Sequence, residues 1–306
     1  MASTQPLRIK TISDYHRVMG LSKPEHPLVT IINFEKIRRL KGDEPINIVF
    51  DFYSIALKRN FNKKVKFGYG QQAYDFDEGI MFFIAPGQVF SIQTDEELKH
   101  TGRMLLVHPD FLWGTALVKK IKQYEYFSYS VHEALHLSDK EEVLLIGIMQ
   151  NMAQELRSNI DKFSQDVIIA QLELLLTYGE RFYQRQFITR KISNHQILDS
   201  LEEILTEYFN SDALLKKGLP TVGYIAEVLN LSPNYLSSLL KALTGLNTQQ
   251  HIHEKLIEKA KEKLSTTSLS VSEIAYELGF EYPQSFSKLF KTKTQLSPVE
   301  FRLSFN

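Results

Sequence analysis

Two stretches in the last third of the chain are copies of one another, and a repeat of this kind leaves few folds open. Thr221 to Lys241 reads TVGYIAEVLNLSPNYLSSLLK, and Ser270 to Lys291 reads SVSEIAYELGFEYPQSFSKLFK. In the second stretch Val271, Ile274, Ala275 and Leu278 fall at helical spacing and form one apolar stripe. Val222, Ile225, Ala226 and Leu229 repeat that stripe in the first. Gly279 then ends its helix, because glycine enters the left-handed conformation at a helix C-terminus without steric cost. Phe286, Leu289 and Phe290 make the inward stripe of the helix that follows. Ala226 to Ala275 is a step of 49 residues and Leu236 to Phe286 a step of 50, so the second copy's turn is one residue longer. Two short helices packed across a tight turn, the second with a polar outer face, are the plan of a helix-turn-helix.

The outer faces are the candidate reading surfaces. In the first unit they carry Asn234, Ser237, Ser238 and Lys241; in the second, Gln284, Ser285, Ser287, Lys288 and Lys291. Asn and Gln side chains can pair with adenine, Ser with several bases, and Lys with guanine or phosphate. No acid interrupts the second set. Between the units, Gln249 to Leu264 predicts a linking helix about 24 Å long at 1.5 Å per residue. With its connections, that length suits two reading helices about one DNA turn apart, ~34 Å.

From roughly Ile197 to Phe305 the sequence resembles the AraC family of bacterial transcription regulators. EIAYELGF, SFSKLFK and LSPVEFR follow that family's second-unit signature almost residue for residue. Three positions depart from it: Gln295 stands where glycine is usual, Thr248 where proline is usual, and Leu256 where the linking helix often carries arginine. The resemblance implies an α+β two-domain protein. Its N-terminal part would be a cupin-like β-barrel or sandwich with helices, and its C-terminal part an all-α domain with two helix-turn-helix units joined by a long helix. It further implies a small-molecule effector in the N-terminal domain, double-stranded DNA as the main partner, and RNA polymerase as a further one.

The rest of the chain is compatible with that plan. From about Ile31 to Val107, runs such as INIVFDFYSIALKRNF and EGIMFFIAPGQVFSIQ read as strands punctuated by turns. Their aromatics (Phe50, Phe52, Tyr53, Phe67, Tyr69, Tyr74, Phe76, Phe82, Phe83 and Phe90) are core residues, some of which could line an effector pocket. No histidine lies between Ile46 and Ile92, which argues against a cupin metal enzyme, and no cofactor is implied. Ser138 and Glu141 form a capping box that opens an apolar helix reaching Arg157. A second helix, from about Gln165 to Gln186, carries two apolar stripes: Ile168, Leu172 and Leu175, and Val167, Leu174 and Tyr178. A surface helix needs only one apolar face. The second implies either burial on both sides or a homodimer, which a charge at Leu172 or Leu175 would break. Phe187 to Gln196 is polar and basic and marks the boundary, giving domains at 1–186 and 197–306 with a linker at 187–196.

One motif points elsewhere. His132-Glu133-Ala134-Leu135-His136 matches H-E-x-x-H, which on a helix puts two imidazoles on a zinc with the glutamate as base. The capping serine two residues later and the β-like YEYFSYSV before it place the motif in a loop or strand, where that geometry fails. A zinc hydrolase is nonetheless the alternative function. His251 and His253, two apart on a helix, point in different directions and read as surface residues. The chain has no cysteine, a formal net charge of +0, no apolar run of membrane-spanning length and no leader-like N-terminus. Those features suit a cytoplasmic protein, and the neutral charge argues against one that coats nucleic acid indiscriminately.

Overall fold

Alternating and continuous apolar runs in the first third of the chain build two sheets. The computed structural model describes residues 6–37, 46–59, 79–92, 101–130, 133–158, 161–189 and 191–304. Phe67, Tyr69, Tyr74, Phe76 and His132 lie outside these. The chain divides into two units, Met1–Gln186 and Phe187–Asn306. No helix among the described residues is long and apolar enough to cross a membrane.

In the first unit, β1 (Leu7–Ile9), β3 (Ile46–Phe50) and β6 (Val89–Ile92) form a three-stranded sheet in the order β1-β3-β6, with β1 parallel to β3. β2 (Val29–Asn33), β4 (Tyr53–Arg59), β5 (Gly79–Ile84), β7 (Thr101–Val107) and β8 (Leu135–Leu137) form an antiparallel five-stranded sheet ordered β2-β7-β4-β5-β8. Helix α1 (Ile12–Val18) contributes Ile12 and Tyr15 to a core shared by both sheets, with Ile48 and Phe50 from one and Ala56 and Leu106 from the other. Phe50 and Phe52 stack at 4.8 Å, and Tyr15 meets Phe50 edge-on at 5.5 Å. The described aromatics of the strand region pack as core. Phe82 and Phe83, for example, border a void of only about 10 Å³.

α2 (Leu117–Lys120) and the capped α3 (Asp139–Arg157) follow, then α4 (Ser164–Thr189). Gly179 lets α4 approach the five-stranded sheet, since a Cβ there would meet Phe83 Cζ at 2.9 Å. The two stripes of α4 separate cleanly. Ile168, Leu172 and Leu175 are buried, whereas Leu174 is 46% and Val167 38% exposed and Tyr178 is half-buried. This corrects the placing of a dimer contact at Leu172 and Leu175: a charge there would unfold the unit before it separated two chains. The residues expected to form a linker, 187–196, begin where the two units divide. They are helical on either side of residue 190, with α5 (Lys191–Asn210) resuming at once. Buried Asn194 donates its side-chain amide to the Phe187 carbonyl, satisfying one of the acceptors that a helix end leaves open.

The second unit continues through α6 (Ala213–Lys217), α7 (Val222–Val228), α8 (Pro233–Thr244), α9 (Thr248–Thr266), α10 (Val271–Glu277), α11 (Pro283–Thr294) and α12 (Pro298–Leu303). α9, at 19 residues, is about 28 Å long, somewhat longer than its sequence pattern implied. Its inner stripe, Ile252, Leu256, Ala260 and Leu264, belongs to one core that also takes Ala226, Leu236, Ala275 and Phe286 from the repeated segments. Leu256 is fully buried there, so the departure from arginine replaces a polar contact with packing.

Candidate nucleic-acid interface

The two copies form the same turn from different residues. Thr221 caps α7, its hydroxyl accepting from Tyr224 N at 3.1 Å. Ser270 caps α10, and Glu273 returns the bond by accepting from Ser270 N at 2.7 Å. The hydrogen bonds from the Ser270 hydroxyl and amide hold the Glu273 carboxyl below its ordinary pKa. At the far end, Leu231 N donates to the Ala226 carbonyl at 2.9 Å, and Phe280 N donates to the Ala275 carbonyl at 3.0 Å. These are the backbone closures of a Schellman motif. Its left-handed residue is Asn230 in the first unit (φ 54°) and Gly279 in the second (φ 80°). Gly279 has a second reason to be glycine: a Cβ would lie 2.9 Å from the Leu214 carbonyl oxygen and 3.0 Å from Gly218 Cα. Ala226 and Ala275 are buried beside these turns, at 1% and 0% exposure.

The extra residue of the second copy falls between the turn and the second helix of the unit. Leu231-Ser232-Pro233 leads into α8, and Phe280-Glu281-Tyr282-Pro283 into α11. Ser232 caps α8 by accepting from Tyr235 N at 3.3 Å. Tyr282 occupies the corresponding place on α11, makes no side-chain cap and is 64% exposed. An exposed aromatic at the tip of a reading helix was not singled out from the sequence. Its signal was there, in a position that favours Ser, Thr, Asp or Asn being given to tyrosine.

On α11 the outward residues stand together: Gln284, Ser285, Lys288 and Lys291 are exposed, with Ser287 half-buried on the flank. Thr292, also exposed, joins this surface, and its hydroxyl donates to the Lys288 carbonyl at 2.8 Å. On α8 the expected set divides. Asn234 and Lys241 are exposed, but Ser238 is buried, and half-buried Ser237 has its hydroxyl 3.0 Å from Thr248 Oγ1. Ser238 therefore leaves the outward face. Tyr235, three residues earlier on the same side of the helix, is buried as well and packs edge-on against Phe187 at 5.2 Å. Thr248, at the first position of α9 and fully buried, uses the hydroxyl that proline would lack to tie α9 to α8. Gln295, the other departure, adopts the left-handed conformation (φ 65°) at the end of α11, as Gly245 does after α8 (φ 81°).

His251 and His253 are half-buried and face different partners: His251 Nε2 lies 2.9 Å from Thr244 Oγ1, and His253 Nε2 lies 3.0 Å from Gln249 Nε2. Burial pushes both imidazoles below their ordinary pKa, with Lys293 adding to the effect at His253. The described residues of the H-E-x-x-H segment, Glu133 to His136, form no α-helix. Leu135–Leu137 is strand β8, and the Glu133 carboxylate accepts from Ser130 N at 2.6 Å. Bringing two side chains four residues apart onto one metal takes a helical turn, and Leu135–Leu137 is extended instead. Among the described residues no cluster of His, Asp or Glu could hold a metal ion.

Residues 225–304 match the helix-turn-helix domain family. The chain is 25% identical over 261 residues to the HTH-type transcriptional activator RhaS of Enterobacter sp. (strain 638), covering 82% of this chain and 85% of that protein. Over 78 residues it is 40% identical to the uncharacterized transcriptional regulatory protein YesN of Bacillus subtilis (strain 168), which is 25% of this chain and 21% of that one. Among solved structures, the C-terminal domain of the two-component response regulator yesN from Fusobacterium nucleatum is 33% identical. The match covers 34% of this chain and 95% of that domain, with a TM-score of 0.30.

Proposed function

We propose that this chain, whose residues 225–304 match the helix-turn-helix domain family, is a transcription regulator of the AraC family that reads one double-stranded operator with α8 and α11 in successive major grooves. It is a regulator with a DNA-binding helix-turn-helix domain and not an enzyme. The observation that carries the finer reading is the joint exposure of Gln284, Ser285, Lys288 and Lys291 on a helix with no acid. Asn234 and Lys241 supply the smaller contribution of α8. Selection from a random duplex pool tests this directly. The expected result is a motif with two blocks about one helical turn apart, the block lost in a Lys288→Ala variant being the one α11 reads. A pool that enriches no sequence would overturn it.

The cytoplasmic protein works as a homodimer governed by a small-molecule effector in its N-terminal unit, with RNA polymerase as the further partner at the promoter. The outward stripe of α4, Val167 and Leu174, supports the dimer. A second copy on the same DNA raises the effective concentration of each reading face without new base contacts. Leu174→Glu should yield a folded monomer with weakened operator binding, read by sedimentation and a DNA titration. A variant that stays dimeric would move the contact off α4.

A further inference from the structure

Strand β2 is the outer strand of the five-stranded sheet and lines a cleft of about 520 Å³, closed by residues 21–25 on one side and the C-terminal half of α3 on the other. Pockets of roughly 300–1,000 Å³ are the usual size for small-molecule ligands. The cleft is distinct from the space between the sheets, which aromatic and aliphatic side chains fill.

Its charge is one-sided. Lys23, Lys36, Arg103 and Arg157 border it, whereas Glu25 is the one carboxylate among the described lining residues. Glu25 is already held by Arg157 Nε at 3.2 Å. In a chain whose acids and bases balance, 36 against 36, this local excess of cations is a departure that favours an anion. Arginine in particular presents a planar fork that matches carboxylate and phosphate oxygens.

One wall is built to meet hydroxyl groups. Buried His16 is held from both sides, with Nδ1 2.6 Å from the Ser22 carbonyl oxygen and Nε2 3.2 Å from Thr30 Oγ1. A carbonyl only accepts, so Nδ1 carries the proton. In the neutral ring Nε2 then accepts the Thr30 hydroxyl proton, which leaves the oxygen of buried Thr30 as an acceptor for a donor in the cleft. Cations at the rim and a fixed hydroxyl acceptor in the wall ask for one molecule that offers both partners.

We infer that this cleft binds a small hydroxylated anion, a sugar phosphate or a sugar acid, and that this ligand is the effector. The second clause rests on the reading of the N-terminal unit as a sensor; the first does not. The test is calorimetric titration of the full-length protein with glucose 6-phosphate and with gluconate, beside glucose and inorganic phosphate. At least one of the two hydroxylated anions should bind with a Kd below about 1 mM, about tenfold tighter than either half-molecule. Arg103→Ala or Lys36→Ala should weaken it about tenfold while the ligand-free melting temperature stays at the parent's value. The bound ligand should also shift the affinity for operator DNA. Absence of binding by both anions at millimolar concentration overturns the site, as does binding undiminished in both variants. Binding that depends on Arg103 but leaves operator affinity unchanged upholds the site and overturns its role as effector site.

Discussion

The two helix-turn-helix units share a core and differ in what they turn outward. At equivalent places the first has Tyr235 and Ser238, both buried, and the second has Ser285 and Lys288, both exposed. The first closes its turn with Asn230 and caps its reading helix with Ser232; the second uses Gly279 and leaves its helix tipped by Tyr282. Ser237 in the first is turned sideways to Thr248. A duplicated motif thus has one copy that invests its surface in the domain's own packing and one that keeps its surface for a partner. Similarity of sequence at the inward positions says the copies fold alike, and nothing about whether they read alike.

The largest test of this contrast is at the turns. Gly279→Ala should destabilise the protein by about 2–4 kcal/mol, because the added carbon meets a carbonyl oxygen in a backbone conformation that alanine resists. Asn230→Gly, its counterpart, should change stability by less than about 1 kcal/mol in a denaturant titration. Equal losses at the two sites would erase the distinction between the turns. Next comes a place where the units should behave alike. Ala226→Leu and Ala275→Leu overpack equivalent helix contacts and should each cost about 1–3 kcal/mol. A parental melting temperature in either variant would mean that its two helices do not meet there.

DNA binding separates the units again. Lys288→Ala should lower operator affinity by about 1–3 kcal/mol and relax preference at one base pair. Lys241→Ala should cost about 1 kcal/mol or less, evenly across sequences, with a shallower salt slope. The reverse ranking would make α8 the principal reader. A smaller effect is expected at the helix tip. Tyr282→Ser supplies the missing cap and should stabilise the fold by about 1 kcal/mol while weakening operator binding, so that stability and affinity move in opposite directions. Smallest of all, Gln295→Gly should stabilise by about 0.5–1 kcal/mol in the unfolding midpoint, since it relieves a left-handed glutamine. No gain there would show that the Gln295 amide, 3.3 Å from the Thr292 carbonyl, offsets its own strain.

Much of this was legible before any coordinates. Apolar stripes at helical spacing, with alanine kept at the closest approach, announced both motifs, and Gly279 marked its own turn. What stayed hidden depended on neighbours distant in sequence. Ser238 is polar and looks outward in the sequence yet is buried, on the side of α8 where Tyr235 meets Phe187, 48 residues away in the chain. Periodicity found both stripes of α4 but could not say which one its own unit covers, and the dimer positions were misplaced for that reason. Asn230 carried a weaker form of the signal that Gly279 gave, since asparagine enters the left-handed conformation less freely than glycine. The polar composition from Phe187 to Gln196 gave no sign that Asn194 would be buried with its amide on the Phe187 carbonyl.

α9 carries a consequence for the genome that such a protein serves. A helix whose inner stripe, from Ile252 to Leu264, is core to both motifs it joins cannot stretch or pivot without opening that core. One base pair added between two half-sites swings the second by about 35° around the duplex axis. With α9 fixed in that core, it is the DNA that would have to untwist. Operators of this regulator should therefore tolerate many substitutions in their central bases and almost no insertion or deletion. The promoters it governs should preserve phase long after they have ceased to resemble one another in sequence.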